Sequence, residues 1–223
     1  MTTLYHYPLC PFSRKIRLLL GEQKIRADLI VERYWENRKE FIKLNPSGEV
    51  PILIFDEVTF CGQYAITEYI EFKYDDILPQ DIKTKAENRR LIDWFDNKFY
   101  REVTKIIINE RVEKRFRSVE KGGGLPNTEL IRLAINTMNN HLKYMEYLLE
   151  RRFWLVTNKI ELADLTAASH ISCLDYLGDI PWEKFPEIKL WYSRIKSRPS
   201  FRSILTDKIV GIPPRGNYAL LDF

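Results

Sequence analysis

The chain has 223 residues, 45% of them hydrophobic and 30% charged, and its 35 Lys and Arg stand against 31 Asp and Glu for a net charge of +4. That length and balance suit two modest domains with real cores and exclude a disordered chain, while the interleaved charges imply no nucleic-acid partner. Apolar runs such as residues 50–55 are too short to span a bilayer, and residues 1–10 lack the order of a secretory signal, so a cytoplasmic protein with no membrane span is expected.

Residues 3–7 read as a strand, Pro8 and Pro11 as a turn, and Phe12, Ile16, Leu19 and Leu20 as the apolar face of a first helix. A second strand fits residues 27–31, a short helix residues 35–44, and Asn45, Pro46, Ser47 and Gly48 form a turn cluster. Residues 50–55 and 58–60 then make a tight hairpin around Asp56 and Glu57, and a third helix runs over residues 63–74 with Ile66, Tyr69 and Ile70 on one side. This order, βαβ then ββα, is the thioredoxin-like arrangement and places a domain at residues 1–78.

After a linker containing Pro79 the strand signals end, and residues 79–223 read as an all-helical domain. Leu91, Phe95, Phe99 and Ile106 mark one long helix, broken by the glycines at 122–124 and by Pro126. Ile131, Ile135, Met138, Leu142, Met145 and Leu149 form the seam of a second. A third begins near Glu161, with Asp164 at N3 and Ile160 and Leu165 placed as a staple. Two further segments cover residues 185–197 and 199–205, and the tail from 207 to 223 is irregular. Tyr218, Leu220, Leu221 and Phe223 make that tail too apolar to be free, so it either docks on the helical domain or is presented to a partner.

Cys10, at the turn from the first strand into the first helix, is the candidate catalytic thiol, with Ser13 second to it. A helix N-terminus favours thiolate over thiol, and Ser13 stands where a second cysteine would complete a dithiol, so the second thiol must come from a ligand such as glutathione. In Asn45-Pro-Ser-Gly-Glu-Val-Pro51 a cis Pro51 would turn the main chain of Val50 toward a peptide-like ligand, and the helix start at Gln63 could receive a carboxylate. Cys61 and Cys173 read as packing residues, and His6, His141 and His170 lack ligand spacing, so no metal and no required cofactor are expected. The stretch Arg111, Lys114, Arg115, Arg117 and Lys121, mixed with glutamates, reads as a solvated helix face or as a patch for an acidic protein partner. Trp35, beside the cleft, is either packing or a contact.

Together C-P-F-S-R-K-I-R-L-L-L, N-P-S-G-E-V-P-I-L and E-L-A-D resemble the glutathione transferase superfamily over the whole chain, the first segment in its glutaredoxin-related, omega-like form. The resemblance implies a thioredoxin-like domain followed by a helical bundle, a homodimer, and glutathione as substrate. It also implies Cys10 as the thiol, Val50 as backbone partner of the glutathione cysteine, and Gln63 with Tyr64 where the family has Glu-Ser. Tyr64 would then crowd the γ-glutamyl carboxylate. In the capping motif Glu161 replaces the usual Ser or Thr, which is expected to weaken the cap. L-D-Y-L-G-D-I-P-W-E-K-F-P, W-Y-S-R-I-K-S-R-P-S-F-R, D-W-F-D-N-K-F and the terminal L-L-D-F resemble the transferase-like cell-division proteins of alphaproteobacteria, which bind the tubulin-like division filament. That resemblance implies a binding scaffold with weak or no glutathione chemistry, its contacts drawn from Trp35, Arg111, Lys114, Arg115, Arg117, Tyr218 and Phe223; the alternative is a glutathione S-transferase or thiol transferase using Cys10.

Overall fold

A computed structural model describes residues 2–74, 81–216 and 218–221. The N-terminal part contains β1 (Thr3–His6), α1 (Pro11–Glu22), β2 (Asp28–Val31), α2 (Lys39–Leu44), β3 (Ile52–Phe55), β4 (Val58–Cys61) and α3 (Gln63–Lys73). The strands form one mixed sheet in the order β2-β1-β3-β4, with β1 parallel to β2 and antiparallel to β3. Tyr5 of β1 faces Ile52 of β3, and Ile52 faces Cys61 of β4, which brings the end of β1 and the start of α1 beside Val50. Asp56 and Glu57 both have positive φ, as a tight two-residue hairpin turn requires.

One expected helix differs. The segment read as continuous over 35–44 is a 3₁₀ turn (Tyr34–Glu36) and then α2, because Asn37 adopts a left-handed conformation that a helix cannot carry through. The domain boundary expected at residues 78 and 79 lies outside the described residues.

The helical part begins with a long helix, α4, from Ile82 to Phe116. It is α-helical over Ile82–Asp93, Lys105–Ile108 and Lys114–Phe116 and π-helical over Trp94–Thr104 and Asn109–Glu113. Leu91, Phe95, Phe99, Val103 and Ile107 all lie in the core, a constant step of four that an α-helix alone would wind off the core face. The wider π turns correct that drift. They also change the expected phase: Ile106 is only half-buried, and Ile107 takes the core position.

Then follow α5 (Thr128–Leu149), α6 (Leu162–Leu177), α7 (Pro186–Lys196) and α8 (Arg202–Leu205). Every residue of α6 is buried, so this is the central helix of the bundle. Its start is anchored by Asp164, whose Oδ2 accepts the Glu161 N–H at 3.0 Å while Oδ1 accepts from Trp191 Nε1 at 2.8 Å and from the Leu155 N–H at 3.0 Å. Asn88 Oδ1 of α4 accepts the Ala163 N–H at 2.9 Å, satisfying a further donor of the first turn. Glu161 and Asp164 thus form a capping box at this junction, supported by Asn88, and Glu161 also accepts from the Thr157 hydroxyl at 3.1 Å.

The two parts join through α1 and α6. Arg14, fully buried, donates to Pro8 O at 2.6 Å and to Ser172 Oγ of α6 at 2.9 Å. Gly21 near the end of α1 allows contact with the 199–201 turn, since a Cβ there would stand 2.8 Å from Ser200 Cβ.

Candidate functional site

Cys10 is the N-cap of α1. Its Sγ accepts from the Ser13 N–H at 3.5 Å and lies 3.9 Å from Val50 O, and Pro11 fills the first helical position, where no N–H donor is needed. The Val50–Pro51 bond is cis. The helix terminus expected to favour the thiolate is in place, yet burial outweighs it: the thiol, 7% exposed, is pushed up to about 11 despite its hydrogen bonds from Ser13. A thiol in this state is a poor nucleophile at neutral pH.

Cys10 lines a cleft of about 380 Å³ with Phe12, Tyr34, Val50, Gln63 and Tyr100. Gln63 opens α3, and its Oε1 accepts from Lys15 Nζ at 2.8 Å. Lys15 is itself buried and pairs with Asp96 at 2.7 Å; Asp96 lies 3.4 Å from His170 Nε2, whose Nδ1 is 3.0 Å from Thr104 Oγ1. Burial works against the Asp96 carboxylate, but Lys15 and His170 together hold it below the ordinary carboxylate range. Burial holds His170 below the ordinary histidine range, against the pull of Asp96. The wall behind Gln63 is thus a closed polar network, and nothing in the residue pattern announced it.

Tyr64 does not crowd this cleft. Its side chain is 71% exposed and does not line the cleft, as one residue beyond Gln63 on α3 falls on another face of the helix. Ser13 is fully buried, its hydroxyl accepting the Tyr7 N–H at 3.3 Å, and it does not line the cleft.

Of the residues expected at a partner surface, Trp35 is 7% exposed and packs edge-on against Tyr7 at 4.8 Å and stacked on Phe116 at 6.3 Å. Tyr218 is buried against Tyr176 at 5.1 Å and donates to Ile204 O at 3.2 Å, so the tail docks there. Leu220 and Leu221 remain exposed, and Phe223 lies outside the described residues. The basic stretch is largely paired: Arg111 meets Asp179 at 2.8 Å, Lys114 meets Glu110 at 2.6 Å, and Arg117 meets Glu113. Arg115 is exposed, and no ion pair with it occurs among the described residues.

Among the described residues no group of three or more His, Cys, Asp or Glu side chains is placed to hold a metal ion. Nor is any described helix long and apolar enough to cross a membrane. Cys173 is buried, its thiol donating to Leu9 O at 3.4 Å, and Cys61 is half-buried with its thiol toward Leu44 O.

Residues 4–79 match the glutathione S-transferase N-terminal domain family, and residues 131–199 match the glutathione S-transferase C-terminal domain family. The chain is 41% identical to FtsZ-localized protein A of Caulobacter vibrioides (strain NA1000 / CB15N) over 227 aligned residues, covering 99% of this chain and 98% of that protein. It is similar in structure to a glutathione S-transferase from Sinorhizobium meliloti 1021, with a TM-score of 0.95, 40% identity and full coverage of both chains. FzlA from C. crescentus matches with a TM-score of 0.94 and 41% identity, covering 100% of this chain and 99% of that one. A four-stranded thioredoxin-like sheet, a cis proline facing the thiol at the α1 N-terminus and an all-helical second half agree with both family matches, and the chain belongs to the glutathione S-transferase family.

Proposed function

We propose that this protein is a glutathione-transferase-fold scaffold that binds a bacterial tubulin-like division filament, with weak or no glutathione chemistry. The observation that carries the reading is the end-to-end 41% identity with FtsZ-localized protein A. The Cys10 site supports it independently, since burial leaves the thiol protonated at neutral pH and Gln63 is already engaged by Lys15. Co-sedimentation of the purified chain with assembled filaments tests the reading, and a chain that stays in the supernatant at micromolar concentration contradicts it.

As a homodimer the scaffold would present two filament surfaces, so weak single contacts could bridge neighbouring filaments through effective concentration. Tyr64 and Phe72, 71% and 91% exposed and two turns apart on one face of α3, supply apolar surface for the contact between the two protomers. Sedimentation equilibrium decides between dimer and monomer, and the same scaffold would work in the cytoplasm.

A second reading has its own observation: the cleft beside Cys10 is open, with the cis Val50–Pro51 bond at its edge. In that reading the Cys10 thiolate attacks oxidised glutathione, forms a mixed disulfide and releases one glutathione thiolate. Mass spectrometry after exposure to oxidised glutathione tests it; an unmodified Cys10 excludes this chemistry.

A further inference from the structure

A second cavity, of about 670 Å³, opens between the end of α4, the start of α5, the end of α6 and the tail. Ile131 and Ile135 of α5, Leu177 of α6 and Ile212 of the tail form its apolar part. Arg111, Arg115, Arg132 and Arg215 stand around them, and no lining side chain is a carboxylate. The carboxylate that answers Arg111 belongs to Asp179, itself 4% exposed. Arg115 and Arg132 are exposed, and no ion pair with either occurs among the described residues.

The walls are fixed by the surrounding fold. Tyr176 fastens the tail three times: its hydroxyl donates to Ile212 O at 2.7 Å and accepts the Ile209 N–H at 3.0 Å, and its carbonyl accepts the Arg215 N–H at 2.9 Å. Gly178 ends α6 at φ +77, and a Cβ there would stand 2.9 Å from Arg215 Cβ, so the glycine lets the Arg215 stem lie across the helix end. At the base, Arg111 Nε and Asp179 Oδ2 are buried without hydrogen-bond partners. One guanidinium, that of Arg111, is therefore tied to the base, while Arg115, Arg132 and Arg215 are exposed around the opening, a distribution of charge that selects anions over an apolar floor.

Resting on the scaffold reading above, we infer that this cleft is where the filament partner docks, and that it takes a short segment in which an apolar side chain is flanked by carboxylates. The apolar side chain enters between Ile131, Ile135, Leu177 and Ile212, and the carboxylates meet Arg115 and Arg132. Reversing charge at the rim sets like charges against the partner's carboxylates, a repulsion that lowers affinity and alters its salt dependence.

The test is co-sedimentation of the full chain with purified division filaments at two salt concentrations, comparing the unsubstituted protein, Arg115→Glu/Arg132→Glu and Arg151→Glu. Arg151 follows the far end of α5, roughly 25 Å along the helix from Arg132. Both rim arginines are exposed, so circular dichroism and melting should show the double variant folded. The expected result is a loss of affinity of about ten-fold or more in the double variant, with Arg151→Glu within about two-fold, and a weaker salt dependence of the residual binding. Unsubstituted and double-variant proteins that pellet alike overturn this docking site while leaving the scaffold reading standing. An unsubstituted protein that does not pellet overturns the scaffold reading and the docking site with it.

Discussion

Arg17 of α1 donates to both carboxylate oxygens of Asp207, at 3.0 and 2.7 Å, although the two residues lie 190 positions apart. Arg14, one turn earlier, has its own Nη2 3.6 Å from the same carboxylate, and Arg17 also reaches Ser203 O at 2.8 Å. One acidic side chain at the root of the tail thus serves as shared counterion to two buried guanidiniums of the first helix and ties the sheet-bearing part to the bundle. Removing it would leave those charges without a counterion in a region of low dielectric. Asp207→Ala is expected to cost about 3 kcal/mol or more, read as a lowered urea midpoint, and a change below about 1 kcal/mol contradicts the clamp.

The tail beyond Asp207 belongs to the fold. Ile209, Ile212 and Tyr218 are all buried, the last at 1% exposure. A chain truncated after Asp207 loses their burial and should be destabilised by roughly 4–8 kcal/mol, enough to unfold a marginal domain. Thermal melting measures this, and a truncated chain that melts like the full one would show that these contacts contribute nothing.

His6 is buried in β1, and burial, with Arg17 and Arg14 nearby, holds it down to about 3. The folded form therefore keeps His6 neutral where the unfolded chain would take up a proton. Its stability contribution is fully present above pH about 6.5 and is lost as pH falls from there toward 3, at a slope of about 1.4 kcal/mol per pH unit. The slope should appear in the difference between wild type and His6→Gln in denaturant titrations at pH 7, 6 and 5, the wild type losing stability faster as pH falls. A difference that does not vary with pH contradicts the assignment.

For Cys10 the expectation is slow chemistry. With Cys61 and Cys173 replaced by Ala, the pH profile of iodoacetamide alkylation should rise toward about 11, giving a rate at pH 7 about a hundredfold below that of an unperturbed thiol. An inflection below pH 8 would restore the helix terminus as the dominant influence and favour the thiol-transferase reading.

Much of the candidate site was legible because local chemistry produced it. A cysteine before Pro11 at a strand-to-helix turn fixes where the thiol stands, and the hairpin residues Asp56 and Glu57 follow from spacing alone. What escaped the sequence are features assembled by distant segments. Lys15, Asp96 and His170 read as ordinary polar residues of three helices, and only their packing turns them into a buried network behind Gln63. Tyr64 stands where the resemblance puts the serine of a Glu-Ser pair, yet its side chain is 71% exposed and does not line the cleft, which position in the sequence alone does not reveal. The arginine cleft is similar: Arg111, Arg132, Leu177 and Ile212 belong to four elements, and nothing in their spacing announces that they converge.

The most direct measurement of the central claim combines two titrations on one preparation of the unsubstituted protein: co-sedimentation with assembled tubulin-like division filaments, and calorimetric binding of reduced glutathione. The account predicts saturable pelleting at micromolar concentration and no glutathione binding below the millimolar range. Tight glutathione binding with no filament association would contradict it and favour the glutathione-transferase reading instead.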